Sequence, residues 1–183
     1  DWMTQHEYIF VAVSIILGLA ITRLLHTVAM LIRAHRQVTF HWATAVWALC
    51  ILAYTLQLWW IGWGLRSVAV WTFLDFLVLV IGSICIYGAA EMALPVPDQD
   101  RMDFLEHSRR LGRLSALSML LYFAVGPYVN LTMLVEPVPL FAALAFPAAG
   151  IALMILIMAL PRLFPLFALL FAPYTLVILY LTA

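Results

Sequence analysis

Residues 68–90 read VAVWTFLDFLVLVIGSICIYGAA, an apolar run broken by a single acidic side chain, Asp75. A helix rises about 1.5 Å per residue and needs roughly 20 mostly apolar residues to cross the hydrocarbon of a bilayer. The stretch is long enough to cross and too long for a buried strand. Five further segments meet the same criterion: 8–31, 42–63, 114–134, 140–160 and 163–181. The expected fold is therefore all-α, a polytopic transmembrane bundle of about six spanning helices in one integral membrane domain over residues 1–183. The fourth span is expected to continue a helix that starts near Asp100, so that it extends into the cytoplasm. Pro161 and Pro165 flank Arg162 and predict a tight turn between spans five and six, because proline disfavours helix continuation. One long kinked helix is the alternative, at about twice the thickness of a bilayer.

Composition agrees. Hydrophobic residues make up 67% of the 183 and charged residues 10%, and the mean hydropathy is +1.09. Soluble domains show about 45–50% and about 25%, so a soluble domain, a disordered segment and a nucleic-acid binder are excluded as classes. All nine basic residues are arginine. Without lysine there is no retinal or pyridoxal Schiff base, no lysine nucleophile and no phosphate-loop lysine. Nine acids balance the nine arginines, leaving no net field to steer a polyion. Cys50 and Cys85 lie in apolar runs without zinc-ligand spacing and read as small buried residues. The first apolar run exceeds a signal-peptide core and its arginines follow it, the pattern of a signal anchor.

Loop arginines set the orientation. Arg33, Arg36, Arg101, Arg109, Arg110, Arg113 and Arg162 fall on one side of a six-span arrangement; Arg66 falls on the other, and Arg23 lies within a span. Both termini are then outside. Compactness and arginine-only usage suggest a bacterial cytoplasmic (inner) membrane. Trp59, Trp60, Trp63 and Trp71 near the outer turn, and Trp42 and Trp47 at the inner end of span two, read as interfacial anchors. Ser14, Gly18 and Thr22, with Ala29 near the same face, form a small-residue stripe on span one that suits close helix packing.

Ionisable groups inside a span are functional candidates by default. Asp75 lies roughly 11 Å below the outer boundary of residues 68–90. Ser14, Tyr54, Gln57 and Tyr122 fall at a similar depth and could complete one intramembrane polar layer with it. There Asp75 needs either a proton or hydrogen-bond donors. That serves a proton-coupled carrier or a helix–helix hydrogen bond equally. Deeper, Arg23, His26, His41, Tyr87 and Glu91 form an inner-leaflet polar cluster. At the level of Arg23, roughly 22 Å in, the partners on offer are Cys50, Ser83 and Ser115, none an acid; snorkelling to the headgroups is the simplest outlet. His26 and His41 come from adjacent spans and are the residues to test as haem or metal ligands, although no metal site is diagnosed.

Residues 95–113 are the main soluble feature, an amphipathic cytoplasmic segment. Asp98 or Asp100 can cap its helix, and Glu106 stands at pairing distance from Arg109 and Arg110. Arg101, Arg109, Arg110 and Arg113 could dock a partner or anionic headgroups.

No HExxH, GxSxG or phosphate-loop motif occurs, and no catalytic residue is proposed. Spans five and six carry almost no polar groups, which suits a C-terminal hairpin facing lipid or another subunit. The expected function is a non-catalytic subunit or scaffold of a membrane complex that packs through that hairpin, as a homo-oligomer or beside other membrane subunits. A small oligomeric carrier or channel with a protonatable Asp75 is the first alternative, and a haem- or quinone-linked redox subunit the second. Bound lipid is expected; any further cofactor is left open.

Overall fold

The computed structural model describes residues 2–97, 101–134, 136 and 138–183. It is helical, with helices α1 (Gln5–Arg33), α2 (Trp42–Gly64), α3 (Phe73–Ala93), α4 (Phe104–Arg110), α5 (Gly112–Tyr128), α6 (Leu140–Ala159) and α7 (Phe164–Thr182). With their terminal turns, α1, α2, α3, α5, α6 and α7 are each long and apolar enough to cross a membrane. The chain is an integral membrane protein. A 3-10 turn at Pro161–Leu163 separates α6 from α7, so the paired prolines end one helix and open another.

α1, α3, α5 and α6 pack in that order, while α2 lies on α1 and α3 and carries α7 on its other side. α6 and α7 meet each other less than α6 meets α5 or α7 meets α2. Lipid tails are as apolar as leucine, so such helices associate by close packing and interhelical hydrogen bonds. On α1 the packed seam is Ile9, Val13, Leu17, Ala20, Leu24, Thr27 and Leu31, spaced by threes and fours so as to keep one face inward. The small-residue stripe lies off that seam: Thr22 and Ala29 are not buried, and a Cβ built on Gly18 meets nothing within 4 Å among the described residues. Trp47 is also a core residue, not an anchor. It is fully buried, its Nε1–H donates to Ser115 Oγ (2.9 Å), and Ser115 donates on to the Ala89 carbonyl (2.9 Å).

Helix α3 begins at Phe73, five residues later than the hydropathy run. Thr72 is its N-cap and forms a reciprocal capping box with Asp75, which satisfies first-turn N–H groups that have no partner within the helix. α1 opens the same way, with Thr4 and Glu7. His6 Nε2–H donates to the Gly62 carbonyl (2.7 Å), joining the start of α1 to the end of α2. Gln57 Nε2–H donates to Thr182 Oγ1 (3.0 Å), which sets the end of α7 at that same end of the bundle.

At the arginine-rich end α4 packs against α2 and the Pro161–Leu163 turn. α4 and α5 are separate helices that break at Leu111. Met102 and Asp103 pair in parallel with Val38 and Thr39 of the α1–α2 connection. Thr44 Oγ1 on α2 donates to the Phe104 carbonyl (2.8 Å) and lies 2.7 Å from Ser108 Oγ. The residue that caps α4 is Asp103, which accepts from Glu106 N at 3.0 Å; the capping expected of Asp98 or Asp100 lies outside the described residues. α4 is thereby held against the start of α2, with Phe104 and Ser108 buried there.

Candidate functional site

Asp75 was expected within an intramembrane layer; the structure puts it in the first turn of α3. Its Oδ2 accepts from Thr72 N (2.9 Å) and Thr72 Oγ1 (2.8 Å), and its Oδ1 from the Tyr128 hydroxyl (2.7 Å). Tyr128 ends α5, just before a π turn at Val129–Met133 that follows the helix-internal Pro127. Proline lacks an N–H and breaks the backbone ladder there. Asp75 is thus buried, with both carboxylate oxygens accepting hydrogen bonds, and is seated on the positive end of a helix dipole. The rest of the expected layer divides. Tyr122 donates to Gln57 Oε1 at 3.3 Å, so those two do meet. Tyr54 packs edge-on against Tyr122, with centroids 6.0 Å apart. Ser14 donates to the Phe10 carbonyl of its own helix. The donors to Asp75 are Thr72 and Tyr128, not these four.

Tyr54 instead belongs to an aromatic core. Its ring stacks on Phe171 (5.7 Å) and meets Phe123 edge-on (5.3 Å), while Trp47 packs on Phe171 (5.0 Å). The Tyr174 hydroxyl donates to the Phe146 carbonyl (2.7 Å) and ties α7 to α6. Among the described residues, Tyr54 Oη and Thr175 Oγ1 are both buried without a hydrogen-bond partner. The C-terminal hairpin therefore turns its inner faces into its own fold, burying Phe164, Phe167, Phe171 and Thr175, and keeps its outer faces apolar and exposed.

Of the cluster expected at the inner leaflet, Arg23 and Glu91 come together: Nη2 lies 2.9 Å from Oε1. The expectation that no acid reaches Arg23 is corrected here. The observed start of α3 at Phe73 explains the pairing: Glu91 lies as far along α3 from Phe73 as Arg23 lies along α1 from Gln5, so the two are level. Both side chains keep about a third of their surface exposed, 34% and 30%, and Glu91 Oε2 is buried without a partner among the described residues. The other three members stand apart. His26 is exposed on α1. His41 Nδ1 accepts from Ala43 N (3.2 Å) as the N-cap of α2. Tyr87 is half-buried against the core. Among the described residues no hydrogen bond or ring contact joins His26 to His41, and no group of three or more His, Cys, Asp or Glu side chains is placed to hold a metal ion.

Arg101, Arg109, Arg110 and Arg113 are all exposed at the arginine-rich end. Arg110 reaches Glu106 at 3.9 Å across open solvent, a contact too screened to restrain it. His107, close to them, turns inward and donates Nε2–H to the Met92 carbonyl (3.0 Å). Burial holds its pKa below the usual imidazole value, and the bond to Met92 partly offsets that.

No family model, curated protein or solved structure matches the chain.

Several of these residues carried a readable signal. The T-x-x-D at Thr72–Asp75 and the T-x-x-E at Thr4–Glu7 are capping-box spacings. Tyr128, Thr44, Ser108 and Thr182 had none, since each acts through a residue distant in the chain.

Proposed function

We propose that this protein is a non-catalytic subunit or scaffold of a membrane complex, and that it meets its partners through the outer face of the α6–α7 hairpin and the arginines of the α4 region. The observation that carries this is the engagement of both Asp75 oxygens by Thr72 and Tyr128 at a helix terminus. A carrier that moves protons needs a carboxyl that can change state and partner along a path. Asp75 is committed to holding α3 against α5. The outer face of the hairpin presents exposed Ile155, Leu156 and Leu160 from α6 and its cap, and Leu166 and Leu170 from α7; this surface suits lipid and a neighbouring helix alike. The four exposed arginines add a cationic patch at one end, which complements an acidic partner or anionic headgroups.

Reconstitution tests it. Proteoliposomes of wild type and Asp75→Asn are expected to show the same background proton flux under an imposed pH gradient. Flux in the wild type that Asp75→Asn abolishes, with its fold intact, would favour the carrier and overturn the scaffold. In native membranes, Leu166→Ala with Leu170→Ala is expected to reduce the size of the complex on native electrophoresis.

A second function stays in view because of Glu91 Oε2. A buried carboxylate oxygen beside Arg23, unpartnered among the described residues, is where a small oligomeric carrier or channel would hold its exchangeable charge. Flux lost in Glu91→Gln but kept in Asp75→Asn identifies that case.

A further inference from the structure

The starts of α1 and α3 stand side by side at the end of the bundle opposite the arginines, and an open pocket of about 570 Å³ lies between them. Its walls are aromatic: Tyr8 from α1, Trp71 from the α2–α3 connection, and Phe73 and Phe76 from α3, with Thr4 and Thr72 at the rim. Tyr8 and Phe73 are 69% and 76% exposed, so most of each side chain is uncovered. Trp71 packs beside the His6 ring (6.0 Å) and the Phe10 ring (6.4 Å), and His6 is itself tied to the Gly62 carbonyl.

The charge around the pocket is negative. Each rim threonine is hydrogen-bonded to a carboxylate: Thr4 N donates to Glu7 Oε2 (2.7 Å), and Thr72 N to Asp75 Oδ2 (2.9 Å). Two helix N-termini contribute roughly half a positive charge each, and the two carboxylates, a full negative charge each, outweigh them. Among the described residues, no cationic side chain lines the pocket. The arginine of this end, Arg66, is stacked on Trp63 with its guanidinium carbon 3.9 Å from the ring centroid. Ring faces and nearby carboxylates together recognise an organic cation. The carboxylates already accept from Thr4, Thr72 and Tyr128, so they supply a field more than free acceptors. That suits a cation with no N–H to satisfy. We propose that the pocket between Tyr8, Trp71, Phe73 and Phe76 binds a quaternary ammonium group of the choline type. This is independent of the scaffold role.

Equilibrium dialysis of radiolabelled choline against the full chain in phosphatidylglycerol nanodiscs tests it, with the uncharged carbon isostere dimethylbutanol as the comparison. Choline is expected to bind, and the isostere about tenfold more weakly. Trp71→Leu is expected to weaken choline about tenfold. Phe73→Leu, at a position that is 76% exposed, is expected to weaken it several-fold. Glu7→Gln keeps the hydrogen bond from Thr4 while removing charge, and is expected to weaken choline but not the isostere. Repeating the dialysis in phosphatidylcholine nanodiscs separates the sources. Lost binding of free choline means that the lipid headgroup takes the site; unchanged binding means that a soluble cation does. Equal affinity for choline and the isostere, no binding of choline, or Phe73→Leu and Glu7→Gln both binding like wild type would overturn the proposal.

Discussion

At the scale of single residues, the bundle depends on a few close approaches and a few paired polar atoms. A Cβ on Gly150 would lie 2.6 Å from the Tyr174 hydroxyl oxygen and 3.0 Å from the Phe123 ring. Gly150→Ala should therefore overpack the α5–α6–α7 junction and cost about 1–3 kcal/mol, read as a lower unfolding midpoint in mixed micelles. Gly18→Ala, where a Cβ meets nothing within 4 Å among the described residues, should be neutral or stabilising by up to ~1 kcal/mol through helix propensity. Equal losses at the two positions would mean that Gly150 is not packed as described. Arg23 and Glu91 make a second test. Either change to Met strands the other charge, whereas the double change strands none, so the double variant should lose less than the sum. Because both groups are about a third exposed, the coupling should be only ~1 kcal/mol. Additive losses would dissolve the pair. Arg23 also marks a limit of the sequence. Counting rise from residues 8 and 68 puts no acid beside it; counting from the observed starts, Gln5 and Phe73, puts Glu91 level with it. The role of Asp75, by contrast, was written locally as Thr72-x-x-Asp75; hydropathy alone drew the helix start five residues early and so set the carboxylate two turns into the helix instead of in its first turn.

At the scale of elements, α4 behaves as a small brace held by three unlike contacts: the short pairing with Val38–Thr39, the Thr44–Phe104–Ser108 hydrogen bonds, and the His107–Met92 bond. Only the last titrates. His107 is held neutral by burial, so its folded pKa lies below the ordinary 6.5. A detached α4 takes up the proton more readily than a docked one. Docking is therefore fully stabilised above the ordinary value and weakens as pH falls below it. Amide exchange over 104–110, corrected for intrinsic rate, should be slow at about pH 7.5 and faster at about pH 5.5, with the dependence lost in His107→Gln. Thr44→Val should raise exchange at both pH values. Protection that ignores pH would show that His107 does not hold the brace. The sequence marked this region as amphipathic and arginine-rich but read it as a projecting helix. The break at Leu111 precedes Gly112, which packs against Phe164 and Ser108 (3.6 and 3.8 Å from a built Cβ), and partners on α2 and α7 are not inferable from the segment itself.

At the scale of the molecule, the six apolar segments were legible because bilayer thickness fixes helix length, and the proline pair at 161 and 165 fixed the final turn. Neighbour order was not legible. Nothing in α7 announces that it lies on α2, since its Phe164, Phe167 and Phe171 look the same whether they face lipid or protein; only three-dimensional packing shows that they complete a core around Trp47 and Tyr54. That order has a consequence for topology. Gln57–Thr182 and His6–Gly62 bring the start of α1 and the end of α7 to one end of the bundle, while Thr44–Phe104 and the Pro161–Leu163 turn sit at the other. Six crossings demand this, and the arginine count predicts that the second end is the cytoplasmic one, which labelling tests. With the buried Cys50 and Cys85 changed to Ala, single cysteines at Trp2, Leu181 and Arg109 can be labelled by a membrane-impermeant maleimide in right-side-out and inverted vesicles. Trp2→Cys and Leu181→Cys should label in the first and Arg109→Cys in the second. The reverse pattern keeps the six crossings and overturns the charge rule for this protein. Trp2→Cys and Leu181→Cys labelling from opposite faces would mean an odd number of crossings, and the bundle as described, with α7 parallel to α2, would fail.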